Sequence, residues 1–286
     1  MGDSVASSGK PLGLGKQDLM TKKGLAEPRE IAAGVYRHAL RGVNVDLLRS
    51  GSSWVLIDTG WRDSGPAIRE AAQSLFGPGS HPQAILLTHP HGDHVGSAVE
   101  LARTWDVPVY IHADDLPLLS GDILSQADPP EAIGRFMVRL MRRLPRRTPE
   151  KLATPDLAAA ARALPGGDAG VPGLADWECI YTPGHSPGHV AFFRRSDRVL
   201  IAGDAVLTVR LWGLLPNVRR ISRPLRLPSW DWRAAKGSVA ILAGLEPAVL
   251  ACGHGIPMSG PGVAAELRAF SDRFSRSRSA KRAPVQ

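Results

Sequence analysis

Ala84-Ile85-Leu86-Leu87-Thr88-His89-Pro90-His91-Gly92-Asp93-His94 is the stretch from which the fold of this chain is read. Its first four residues form an apolar run between Pro82 and the punctuation of Pro90 and Gly92, as expected of a buried strand. Beyond it, Val95, Ala98, Val99, Leu101, Ala102 and Trp105 fall on one face of an amphipathic helix. Three histidines and an aspartate therefore occupy a strand-to-helix loop, where side chains can converge on one point outside a sheet. Imidazole nitrogen and carboxylate oxygen suit zinc, iron or manganese at an open site. A polar turn that merely happens to be rich in histidine is the plainer alternative, and four such residues at the end of a buried strand speak against it.

The His89–His94 stretch resembles the HxHxDH motif of the metallo-β-lactamase superfamily. That resemblance implies an α/β fold, a four-layer αβ/βα sandwich, and further donors from three later loops. Thr182-Pro183-Gly184-His185-Ser186-Pro187-Gly188-His189 resembles the loop carrying the next one, His185. Leu200-Ile201-Ala202-Gly203-Asp204 resembles the strand that ends in a bridging Asp, and Ala251-Cys252-Gly253-His254-Gly255 the last histidine loop. By resemblance, His89, His91 and His185 hold one metal, and Asp93, His94 and His254 a second, with Asp204 bridging. Asp58, closing Trp54-Val55-Leu56-Ile57-Asp58, resembles the carboxylate that orients a ligating His. Read alone, it is an ordinary strand-ending turn residue.

Two divalent ions, with zinc first and iron or manganese as alternatives, would supply a reactive hydroxide at neutral pH. The implied function is a metal-dependent hydrolase of a small ester, thioester or lactone, with Asp93 as a catalytic group orienting the attacking oxygen. Two other readings come from the same superfamily. One is a mononuclear-iron oxidoreductase of the persulfide dioxygenase kind; the complete second donor set argues against it. The other is a phosphodiesterase or RNA-processing nuclease, for which no basic-aromatic RNA module is present. Leu207 stands where homoserine lactonases carry a Tyr, and only 32 residues follow His254, fewer than the glutathione-binding domain of glyoxalase II needs.

Length and composition fit one sizeable domain: 286 residues, 43% of them hydrophobic, bury a full core. Cys179 and Cys252 are too few for a disulfide framework and point to a reducing compartment. Cys252 is read as a buried thiol in preference to a ligand. Residues 1–30 are read as a flexible leader without a signal-peptide core, residues 31–274 as the hydrolase domain, and residues 275–286 as a basic disordered tail. No run approaches the roughly 18 apolar residues of a membrane span, so a cytoplasmic protein is expected.

Residues 113–176 are read as a helical insertion or lid. Ile133, Phe136, Met137, Leu140, Met141 and Leu144 make a helical stripe with arginines between them, and the Ala- and Gly/Pro-rich stretch to Gly173 reads as a short helix and a loose loop. Residues 135–151, 210–226 and 268–286 carry net charges of +6, +5 and +5 against +8 for the whole chain. The first two favour an anionic small-molecule substrate by steering. Trp212, Trp230 and Trp232 are candidates for pocket walls or for core packing. His112 is read as a strand-end histidine, and His189 as either a packing residue or a contact near the site.

Overall fold

The computed structural model describes residues 27–119, 135, 139, 157, 159–166, 170–209, 220–224, 229 and 231–277. Twelve strands among these residues form two sheets. The first sheet takes β1 (Arg29–Ala32), β2 (Val35–Leu40), β3 (Val43–Ser50), β4 (Ser53–Ile57), β5 (Ile85–Leu86), β6 (Val109–Ile111) and β7 (Ala161–Ala163), side by side in chain order. The second runs β12 (Met258–Ser259), β11 (Val249–Ala251), β10 (Val199–Ile201), β9 (Val190–Arg194), β8 (Trp177–Tyr181). Five α-helices accompany them: α1 (Gly65–Phe76), α2 (Gly92–Val95), α3 (Ala98–Trp105), α4 (Trp232–Gly244) and α5 (Val263–Arg276).

Strand alternation sorts the apolar side chains into three cores. Successive residues of a strand point to opposite faces. Leu47, Leu56 and Ile85 accordingly pack outward against Ile68 and Ala72 of α1 and Leu101 of α3. Their neighbours Leu48, Val55, Ile57 and Leu86 pack inward against Phe192, Val199, Ile201 and Ala251 of the second sheet. On the far side, Phe193, Leu200 and Leu250 meet Val239 and Leu242 of α4 and Leu267 and Phe270 of α5. The order is thus helices, sheet, sheet, helices, the four-layer sandwich the resemblance implies.

This arrangement decides where the site sits. Strands β4, β5 and β6 run parallel, as do β10 and β11. The loops leaving β4, β5, β10 and β11 lead to Asp58, His89, Asp204 and His254, so Asp58 and three donor-bearing loops lie at strand ends. Two backbone hydrogen bonds stitch the halves there: Val190 N–H donates to Thr88 O (3.0 Å), and Asn44 N–H to Gly253 O (2.8 Å).

Three sequence expectations need comment. β1 begins at Arg29, inside the span read as leader. Part of the stretch expected to be a short helix and loose loop is strand β7, paired in parallel with β6 from Val109↔Ala161 to Ile111↔Ala163. Alanine's helical preference is weak, and pairing with an exposed sheet edge overrides it. Residues 113–119 form a 3-10 helix; of the arginine-flanked helical stripe beyond it only Arg135 and Arg139 are described, both exposed. Trp212, Trp230 and most of the leader and the basic tail lie outside the described residues, whereas Trp232 packs edge-on against Phe274 in the helical layer.

Candidate metal centre

Proline 90 ends the β5 run and sets His89 and His91 at the mouth of the loop; α2 then turns His94 back toward them. His91 O accepts the N–H groups of both His94 (2.9 Å) and Val95 (3.0 Å), closing that turn. The second half brings in His185 between β8 and β9, Asp204 after β10 and His254 after β11. All seven sequence-predicted residues meet. Three groups of donor atoms lie within 4.8 Å of one another: His89, His91 and His185; His89, His94 and Asp204; Asp93, His94 and His254.

The donor atoms stand close enough together to share an ion. His254 Nε2 is 3.2 Å from Asp93 Oδ2 and 3.3 Å from Asp204 Oδ2. His185 Nε2 is 3.5 Å from Asp204 Oδ2, and His94 Nε2 is 3.7 Å from Asp204 Oδ1. Ligands at zinc distances on a tetrahedron stand about 3.3 Å apart. The rings of His89, His91 and His185 lie at 73–89° to one another with centroids 4.6–4.7 Å apart.

Four of these atoms, His89 Nε2, His94 Nε2, His185 Nε2 and Asp204 Oδ1, are buried with no hydrogen-bond partner. One unsatisfied buried polar atom is costly, and four pointing at one place fit a cation. His91, Asp93 and His254 are only half-buried, so the cluster opens to solvent on their side. Gly253 closes the inner side: a Cβ there would overlap Asp204 Oδ1 and the His94 ring.

The distal ring nitrogens are mostly anchored. His94 Nδ1 donates to Asp58 Oδ2 (2.8 Å), while the same carboxylate accepts from Thr88 N–H and Thr88 Oγ1, each at 2.8 Å. Asp58 sits in the left-handed region (φ 60°), which turns its carboxylate back under the loop. His254 Nδ1 donates to Gly42 O (2.6 Å), and His185 Nδ1 lies 3.2 Å from Ser229 Oγ. Such partners fix tautomer and ring orientation.

Burial disfavours charge at every one of these groups, and what opposes it differs between the two ends. His89 and His185 are held well below the ordinary histidine pKa by burial and by neighbouring imidazoles. At the other end, Asp204 and Asp93 overcome burial and raise His94 to about 9 and His254 to about 11. The two carboxylates are correspondingly kept below the usual range, against burial, by those histidines.

Two groups around the site were not assigned such roles from sequence, and a third, His189, was left between packing and a contact near the site. His189 is fully buried; its Nε2 accepts the backbone N–H of Asp204 (3.0 Å) and its Nδ1 faces Thr182 Oγ1 (2.7 Å). Asp115 accepts from Ser186 Oγ (2.6 Å) and Gly188 N–H (2.8 Å), latching the His185 loop to the 3-10 helix. Arg37 and Asn44 reach the His254 loop from the opposite sheet. The second histidine of the Pro-Gly-His-Ser-Pro-Gly-His run was a visible signal; the others had none. His112 stacks on Tyr181 and is in none of the donor groups, and the Cys252 thiol is buried, pushed to about 12 by burial.

A profile of the Metallo-beta-lactamase superfamily matches residues 39–254, which contain every donor described above. The chain belongs to the metallo-β-lactamase superfamily. The Bacillus subtilis (strain 168) protein named "Probable metallo-hydrolase YflN" is 37% identical over 252 residues, covering 86% of this chain and 93% of its own. Among solved structures, TTHA1623 in a di-iron-bound form matches with TM-score 0.55 and 29% identity, over 86% of this chain and 100% of that one. A B3 metallo-β-lactamase with an active-site glutamic acid shares the superfamily fold at TM-score 0.58 and 19% identity, over 88% of each chain. Among the described residues no helix is long and apolar enough to cross a membrane.

Proposed function

We propose that this metallo-β-lactamase-fold protein is a dinuclear metal-dependent hydrolase of a small ester, thioester or lactone. His89, His91 and His185 would hold one ion and Asp93, His94 and His254 the other, with Asp204 between them. The observation that carries the reading is the convergence of four buried, unpartnered donor atoms from both halves of the chain on a cluster open to solvent on one side. Two divalent ions held there would lower the pKa of water toward neutrality and supply positive charge for the oxygen of an acyl carbonyl.

The chain's own groups do the rest. Asp58 keeps the His94 proton on Nδ1, leaving Nε2 as a lone-pair donor. Asp93 is the half-open carboxylate of the cluster, 3.2 Å from His254 Nε2, and in this reading it orients the attacking water. Leu207, three residues after Asp204, is buried and exchanges backbone hydrogen bonds with Ser222 (2.9 and 2.8 Å). No phenol hydroxyl stands there, which favours acyl substrates other than homoserine lactones. Zinc is our reading of the donor set; the di-iron form of TTHA1623 makes iron the alternative that metal analysis decides.

The test is turnover by metal-loaded protein on a panel of p-nitrophenyl esters, thioesters and lactones. Hydrolysis of one class is expected, and Asp93→Ala should abolish it while the circular dichroism spectrum is retained. Full activity in Asp93→Ala, or no hydrolysis of any panel member by the loaded protein, would overturn the reading.

A further inference from the structure

The polar end of the inter-sheet core holds a charge pair that the chemistry above does not use. Arg37 and Asp46 stand opposite each other in the β2–β3 register. Their side chains are joined twice, Nε to Oδ1 at 2.8 Å and Nη2 to Oδ2 at 2.6 Å, and both are 4% exposed. Burial works against the guanidinium charge, and Asp46 more than restores it, so Arg37 stays protonated. A buried ion pair is a poor source of stability, because apolar residues of similar volume usually do as well. Its remaining nitrogen is therefore informative: Arg37 Nη1 donates to Cys252 O at 2.6 Å.

Asn44, two residues along β3 on the same face as Asp46, adds to this. Its Nδ2 donates to Cys252 O (3.0 Å) and to Gly255 O (2.9 Å), and its backbone N–H to Gly253 O (2.8 Å). Three carbonyls of the Cys252–Gly255 turn are thus gripped by strands of the other sheet, and the residue inside that turn is His254. The same hairpin offers Gly42 O to His254 Nδ1. The His185 loop is held by other groups, Asp115 on Ser186 and Gly188 and Ser238 Oγ on Pro183 O (2.7 Å), none of them from this hairpin.

We propose that Arg37, Asp46 and Asn44 form a positioning unit that sets His254, and through it the affinity of the second metal position, without acting on the first. This rests on the two-metal reading. Beyond their own sheet, the hydrogen bonds of the three residues go to the turn that carries His254, so their loss frees one ligand of the Asp93, His94 and His254 group. Loss of the partners that orient a ligand typically weakens metal binding 10–100-fold.

The experiment is Zn2+ titration of metal-stripped protein against a competing chelator, comparing the unsubstituted chain with Asn44→Ala and with the paired variant Arg37→Met/Asp46→Leu. The paired change removes both charges together and so avoids stranding one in the core. The unsubstituted chain should take up two equivalents. Each variant should bind the first with unchanged affinity and the second about 10–100-fold more weakly, with Co2+ absorption reporting the altered second position. Unchanged binding of both equivalents in a folded variant, or equal weakening of both, would refute the proposal; the second result would mark the unit as merely structural. Uptake of a single equivalent by the unsubstituted chain would instead remove the two-metal reading, and this inference with it.

Discussion

The Nε2 atom of His189 accepts the backbone N–H of Asp204 at 3.0 Å, so a histidine outside the three donor groups fixes the backbone of the residue proposed to bridge two ions. His189 must be neutral to accept, and burial depresses its pKa to about 3. Replacing it by alanine would leave a buried donor unsatisfied, a loss of about 1–3 kcal/mol. The expected outcome for His189→Ala is a lower urea midpoint together with weaker uptake of both metal equivalents, since Asp204 lies between them. Chemical denaturation and chelator competition on the same preparation check both.

Asp58→Asn should be far more damaging than its size suggests. An amide keeps the shape, but its NH2 would face His94 Nδ1–H or Thr88, where the carboxylate now accepts from both. Where the NH2 faces the ring, relief comes from moving the ring proton to Nε2, which blocks the nitrogen facing the donor cluster; where it faces Thr88, the backbone N–H at 2.8 Å loses its acceptor. At least a tenfold loss of metal affinity and a large fall in kcat are expected, with the fold intact. Retained metal binding at wild-type strength would show that Asp58 does not set the tautomer.

Proton release should distinguish the two metal positions. In the metal-free protein His94 and His254 carry protons at pH 7.5, since their carboxylate neighbours raise them to about 9 and about 11. Metal binding requires them neutral. His89 and His185, lowered by burial, have no proton to give up. Calorimetry in buffers of different ionisation enthalpy should therefore find proton release with the Asp93, His94 and His254 equivalent and little with the other. The linkage has a definite sign: ion-pair stability from His94 and His254 in the metal-free protein is complete below about 6.5 and is lost as pH rises through 9 to 11.

Asp115 supplies the pH test at the other loop. Burial raises its carboxyl to about 7. The folded state thus holds a proton that the unfolded chain releases near 4, and stability from this group falls as pH rises from about 4 to 7, by at most about 1.4 kcal/mol per pH unit. Asp115→Asn can still accept from Gly188 N–H and can donate to Ser186 Oγ. In a shared metal-containing buffer, its stability relative to the unsubstituted chain should climb across that window and then level off. A constant difference between the two curves would show that Asp115 titrates normally.

The four layers were legible only through the resemblance carried by the His89–His94 stretch and its later loops; that the adjacent Leu47 and Leu48, or Phe192 and Phe193, serve different cores is seen only in the folded chain. The donors were legible because four of them lie within six residues and the rest in recognisable loops. Strand β7 was hidden because Ala161–Ala163 becomes a strand only by pairing with β6, about fifty residues earlier. Asp115, Arg37 and Asn44 were hidden for the same kind of reason. An arginine opposite an aspartate on a hairpin is unremarkable until a carbonyl 215 positions away is seen to complete its hydrogen bonds.

Each of the three donor triads draws two members from before residue 100 and one from after residue 184. An ion seated in any of them is consequently a rivet through the seam between the sheets, closing a span of chain about as long as a small domain. Such a cross-link limits the freedom of the unfolded chain in the way a long disulfide loop does. Stripping the ions should thus let the two halves part before either one melts, so that catalysis and mechanical cohesion fail at the same bonds.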